Sequence, residues 1–229
     1  MSWFDTVLWY LNNIWSYVLQ MLPCMVVAML LFALFTPVRQ KRMLHLGLVS
    51  GRWREAALLL FVMFSAGLAA LTLFPADFWS HFMKYLFVAE VRSEGLRWRE
   101  FYPAWETSLM QLERIQELLR PLEEIKRAFR AGPWFMFMLL GNIGMFIPIG
   151  FCVSLLWHKP RWWKAVFIGF LCSTGIEFVQ LFIGRRTDID DVILNTTGAY
   201  LGFVLFWILH LLFPVFAAQF QCQTKGESA

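Results

Sequence analysis

Predominantly apolar stretches at residues 14–36, 56–76, 134–157, 165–183 and 192–213 dominate the chain, separated by short polar or basic connections and one long one. A hydrocarbon core about 30 Å thick needs roughly 20 helical residues, so each stretch predicts a membrane-spanning helix. Ahead of the first, "SWFDTVLWYLNN" is aromatic with one acid and two amides. It predicts either an interfacial helix or an outward extension of the first span. The fold class that follows is all-α: a polytopic transmembrane helix bundle of about five spans.

The long connection, residues 77–133, carries a different pattern. In "SLMQLERIQELLRPLEEIKRAFR", residues 108–130, Leu112, Ile115, Leu119, Leu122, Ile125 and Phe129 recur at helical spacing among charged neighbours. This predicts an amphipathic helix. Ser108 followed by Gln111 fits a capping box at its start, and Pro121 is expected to kink or split it. The helix has two expected places, flat on the outer membrane surface or against the bundle, and a rival role as a partner-binding arm. The chain thus divides into a two-span region (1–76), an extracytoplasmic amphipathic helical insert (77–133), a three-span region (134–214) and a polar C-terminal tail (215–229).

Composition agrees with this picture: 59% of the 229 residues are hydrophobic and only 16% are charged, the balance of an integral membrane protein. The net charge of +4 does not indicate a nucleic-acid partner, because the basic residues flank apolar runs. They read as topology signals. Arg39, Lys41, Arg42, Arg52 and Arg54 lie between the first two spans, and Lys159, Arg161 and Lys164 between the third and fourth. Both connections are expected in the cytoplasm, placing the N-terminus outside and the C-terminus inside. The first basic residue is Arg39, so the N-terminus does not read as a removed signal peptide. Cys24, Cys152, Cys172 and Cys222 are scattered without a CxxC pair, which predicts neither a disulfide framework nor a zinc site. His45, His81, His158 and His210 fall near span ends, where interfacial side chains are expected.

Against this apolar background, "IEFVQLFIGRRTDIDDVILNTTGAYLG", residues 176–202, concentrates polar groups. Glu177 and Gln180 share one face of the fourth helix, while Asp188, Asp191, Asn195, Gly198 and Gly202 form a stripe entering the fifth. Glu177 lies about 9 Å below its helix end, Asn195 about 5 Å inside the next, and Asn142 about 12 Å into the third. The turn between them sets Arg185 and Arg186 within reach of Asp188, Asp190 and Asp191; Asp188 or Asp190 also suits the cap of the fifth helix. Pro148 frees the carbonyl of residue 144 and is expected to bend the third helix. Gly141, Gly144 and Gly150, with the Gly198–Gly202 step, are expected to let helices approach closely.

One account is purely structural: the amides and acids bond across the bundle. Such bonds average well under about 1 kcal/mol, a poor return for so much buried polarity. Ionisable groups in a span are functional by default, so the cluster reads as a ligand site built from Asn142, Glu177, Gln180, Arg185, Arg186, Asp188, Asp191 and Asn195. The arginines suit a phosphate or carboxylate, and Asp188 and Asp191 suit Mg²⁺ or Ca²⁺, with Glu177 as candidate general base. Without a histidine in the cluster, hydroxyl–imidazole–carboxylate catalysis is unsupported. Two functions stay open: an envelope protein binding an anionic lipid or lipid-linked precursor at the outer leaflet, and a metal-assisted enzyme acting on a lipid-linked phosphate.

Asn142, Phe146, Pro148 and Gly150 in "NIGMFIPIGF", then Glu177, Gln180, Asp188, Asp191, Asn195, Gly198 and Gly202 in order and spacing, resemble the VanZ-like family over residues 134–205. That family takes its name from a membrane protein accompanying glycopeptide-resistance systems. The resemblance implies a bacterial multi-span protein of the cell envelope and low-level resistance to teicoplanin, without naming a reaction. Relatives often carry an "NLxPF"-like segment before the shared motif, of which "REFYPAW", with Phe101 and Pro103, is a degenerate echo. The insert and the extra N-terminal span also exceed the minimal plan of roughly four spans.

Overall fold

The computed structural model describes residues 3–74, 78–87, 120–157, 160–183 and 187–224. Their elements run α1 (Trp3–His45), β1 (Leu48–Val49), α2 (Arg52–Leu73), α3 (Phe78–Phe87), α4 (Glu123–Ala131), α5 (Pro133–Leu156), α6 (Trp162–Phe182), α7 (Ile189–Leu212), α8 (Pro214–Ala218) and β2 (Gln223–Thr224). Five of them, α1, α2, α5, α6 and α7, are long and apolar enough to cross a membrane. Helix is the natural state for such segments, because hydrocarbon offers no partner for a backbone N–H or C=O. The expected spans therefore appear, the last four with ends shifted by a few residues and the first, expected at 14–36, lengthened at both ends.

The aromatic N-terminal segment extends the first span instead of forming a separate helix. α1 is 43 residues long and continues through Pro23 and Pro37. α5 likewise runs unbroken through Pro148. At Pro121, where the insert helix was expected to kink or split, residues 121–122 form a turn and α4 begins at Glu123; the stretch 108–119 lies outside the described residues. Ser108 and Gln111, the expected capping pair, lie outside the described residues, as do Phe101 and Pro103.

Close backbone approach defines the centre of the bundle. A Cβ on Gly150 would collide with the Ala199 carbonyl, one on Gly198 with that of Ile143, and one on Gly202 with that of Ile147. α5 and α7 thus touch main chain to main chain along their glycine faces. Gly169 of α6 admits the Ala199 methyl from the other side, and Ala199 is fully buried. Gly141 and Gly144 correct the expectation: a Cβ at either meets nothing within 4 Å, so neither is needed for close packing. Both face away from the contact, although Gly144 follows Ile143 directly in the same turn of α5. Around this seam, Leu68, Phe146, Ile149 and Val153 form the apolar core.

The two ends of the bundle differ in character. At one, the α1–α2 connection pairs with the tail, Leu48 opposite Thr224 and Val49 opposite Gln223. Here Arg39 makes a two-pronged ion pair with Glu55, its Nη1 3.1 Å from Oε1, and Arg54 donates to Ser50 Oγ at 3.0 Å. At the other end, Trp9 of α1 meets Trp134 of α5 edge-on, and α4 joins α5 through Gly132. Gly132 has φ +105°, a conformation that side chains rarely adopt.

Replacing Gly198 by leucine drives α5 and α7 apart and is expected to lower the unfolding midpoint in detergent, at a cost of about 1–3 kcal/mol or more. Gly141→Ala, facing open space, is expected to be neutral or stabilising by about 0.5–1 kcal/mol through helix propensity. Circular dichroism melts of the two variants check the contrast.

Candidate functional site

Helix ends create the site, because each carries backbone groups without an intrahelical partner. Entering α7, Asp188 takes the N-cap position, and its Oδ1 accepts from Asp190 N at 3.0 Å. Glu177, buried on α6, accepts from Asp188 N through Oε2 at 2.9 Å, while Thr187 Oγ1 donates to the Glu177 carbonyl at 3.3 Å. The carboxylate one helix away thus fixes the turn that starts the next. Asp190 and Asp191 in the first turn complement the positive end of the α7 dipole.

Asn142 of α5 donates through Nδ2 to Asp191 Oδ1 at 2.5 Å. Asn142 stands about 14 Å into α5, whereas Asp191 stands about 3 Å into α7. Their bond therefore leaves about the first two turns of α5 projecting beyond the start of α7. α4 packs into that step. It lacks a capping side chain of its own, since Leu122 occupies its N-cap with φ +68°, a strained conformation for a leucine. Asp190 supplies the cap from across the fold, accepting from Leu122 N at 2.5 Å and Ile125 N at 3.2 Å, and its side chain is fully buried.

Between α4, α5 and α7 a cavity of about 260 Å³ remains, lined by Ala128, Phe135, Met138, Leu139, Asn142, Asp188, Asp191 and Leu194. The sequence-predicted set is therefore only partly brought together. Asn142, Asp188 and Asp191 are its polar lining, and Glu177 supports Asp188 from behind. Gln180 points elsewhere, donating to the Thr72 carbonyl at the end of α2 at 2.9 Å. Asn195 donates to Ser173 Oγ at 2.9 Å, inside the α6–α7 contact, and its Oδ1 is buried without a partner among the described residues. Arg185 and Arg186 lie outside the described residues. Pro148 and Gly150 sit deeper on α5, Gly198 and Gly202 deeper on α7, where they serve packing.

Among the described residues, no group of three or more His, Cys, Asp or Glu side chains converges as metal ligands. What the cavity offers is a carboxylate pair, one amide and an apolar wall. Carboxylates accept hydrogen bonds from hydroxyl and ammonium groups, and the apolar wall admits an acyl or sugar face. The bonds from Asp190 to the start of α4 are what sequence reasoning missed; its expected arginine partners, Arg185 and Arg186, lie outside the described residues. One signal pointed to them, an insert helix starting at Pro121 with no Ser, Thr, Asp or Asn of its own to cap it.

A helix bundle with a polar cavity at one end of its apolar spans is a polytopic membrane protein with a potential ligand site. A family model described as VanZ/LLP1 matches residues 95–210, just over half of the chain, and the chain belongs to this VanZ-like family. No curated protein and no solved structure shows significant similarity to it.

Asp190→Ala removes both acceptors from the start of α4, a loss of about 0.5–2 kcal/mol for a cap. Amide hydrogen exchange at residues 122–126 is expected to accelerate by about fivefold or more, since about 1.4 kcal/mol is a factor of ten. Exchange in the middle of α7 is expected to stay unchanged.

Proposed function

We propose that this protein acts in the bacterial cell envelope by binding a lipid-linked, phosphate-bearing cell-wall precursor at the outer leaflet, and so limits access of lipoglycopeptides such as teicoplanin to their target. The observation that carries this reading is the cavity where Asn142, Asp188 and Asp191 meet an apolar wall. Asp188 and Asp191 suit sugar hydroxyls or an ammonium group of the ligand. Arg185 and Arg186, three and two residues before Asp188 in sequence, suit its phosphate through bidentate contacts. The Lys and Arg residues of the two short connections at the opposite end of the bundle, Arg39 to Arg54 and Lys159 to Lys164, support a cytoplasmic location there, with the cavity and the N-terminus outside and the C-terminus inside.

The enzyme reading keeps one observation in its favour, that Asp188 and Asp191 line the same cavity. Two carboxylates there would hold Mg²⁺ or Ca²⁺ beside a lipid phosphate, with Glu177 nearby through Asp188.

Purified protein in nanodiscs is expected to bind the lipid-linked precursor, and Asp191→Ala and Arg186→Ala are each expected to weaken binding about tenfold, or about 1.4 kcal/mol, per amount of folded protein. Cells carrying either variant are expected to lose protection against teicoplanin. Absence of precursor binding overturns the reading. Mg²⁺-dependent turnover of lipid phosphate, abolished in Asp191→Asn, replaces it with the enzyme. Losses that merely track the amount of folded protein favour a structural role for the cluster.

A further inference from the structure

The side of α4 turned away from the cavity carries its own chemistry. Glu123, Lys126, Arg127 and Arg130 fall at helical spacing on one face and, with Ala131, line an open hollow of about 430 Å³. Ala128 is buried and Ile125 half-buried on the opposite side, so this face looks outward. Glu123 pairs with Arg120 at 3.9 Å, and Lys126, Arg127 and Arg130 outnumber it among the described side chains that line the hollow.

Two further observations place this face among lipid headgroups. α4 connects through Gly132 to the start of α5, where Trp134 stacks on Phe137 with centroids 5.5 Å apart and meets Trp9 of α1. Tryptophans cluster at the membrane–water interface, so α4 stands at that level. Phe129 lies on the flank between the basic stripe and the buried side and is 71% exposed, and Leu122, at the helix start, is exposed as well. Apolar side chains on one flank and Lys and Arg on the next are what an interfacial helix presents to a bilayer.

We propose that α4 is a binding surface for anionic phospholipid headgroups. Lys126, Arg127 and Arg130 take the lipid phosphates, while Leu122 and Phe129 dip toward the acyl region. Asp190 holds the helix in this place by capping its start. The proposal does not depend on what the cavity binds.

Hydrogen exchange of the α4 amides, residues 123–131, tests it in nanodiscs of phosphatidylcholine alone and of phosphatidylcholine with phosphatidylglycerol. Each basic residue near an anionic surface is worth roughly a fivefold preference. Exchange is therefore expected to slow by about tenfold or more in the anionic discs, and high salt is expected to remove the difference. K126Q/R127Q/R130Q is expected to abolish the lipid dependence, and Phe129→Ser to weaken it. Equal exchange of the unaltered protein in both lipids overturns the proposal without reference to any variant. An undiminished lipid effect in the triple variant overturns it too. Failure of precursor binding in the cavity would leave the exchange difference intact, so the two readings fail separately.

Discussion

In hydrocarbon a polar group must find its partner within the protein, and one layer of such pairs ties this bundle together. Gln20 of α1 donates to the Phe74 carbonyl after α2, and Gln180 of α6 to the Thr72 carbonyl of α2. Glu177 joins α6 to the start of α7, Asn142 joins α5 to α7, and Asp190 joins α7 to α4. Several of these bonds satisfy helix ends, where backbone groups lack intrahelical partners, so the polar side chains stand where the main chain needs them. Every spanning helix takes part in the layer.

The rest of the architecture lets that layer close without filling it. Gly150, Gly198 and Gly202 bring α5 and α7 to backbone contact below, while the Asn142–Asp191 bond sets the two helices out of step above. The step exposes the first turns of α5, α4 covers them, and the cavity is the space left beneath α4. The same helix then offers a basic face outward. One short helix, capped by a residue far along the chain, thus borders both surfaces assigned to binding.

Much of this was legible in the sequence, for physical reasons. Apolar length gave the five spans because the bilayer imposes it, and the periodic stripe from Asp188 to Gly202 placed polar and small residues on one helical face. What the sequence could not convey was which polar group meets which. Gln180 and Asn195 share a face with the site residues, yet each is taken by a neighbouring helix, a matter of helix rotation that spacing leaves open. Gly141 and Gly144 looked equivalent to Gly150 until packing chose among them. Asp190, between two acids of similar appearance, owes its role to a helix some 65 residues away in sequence.

The central claim is that the cavity beneath α4 opens to the outside and is filled by a lipid-linked precursor. Met138 lines it and is 46% exposed. In a background with Cys24, Cys152, Cys172 and Cys222 replaced by serine, Met138→Cys reports on it through a membrane-impermeant thiol reagent applied to intact cells. The account predicts labelling without permeabilisation, and less labelling when the precursor accumulates. Labelling only after permeabilisation, or labelling indifferent to precursor level, would contradict it.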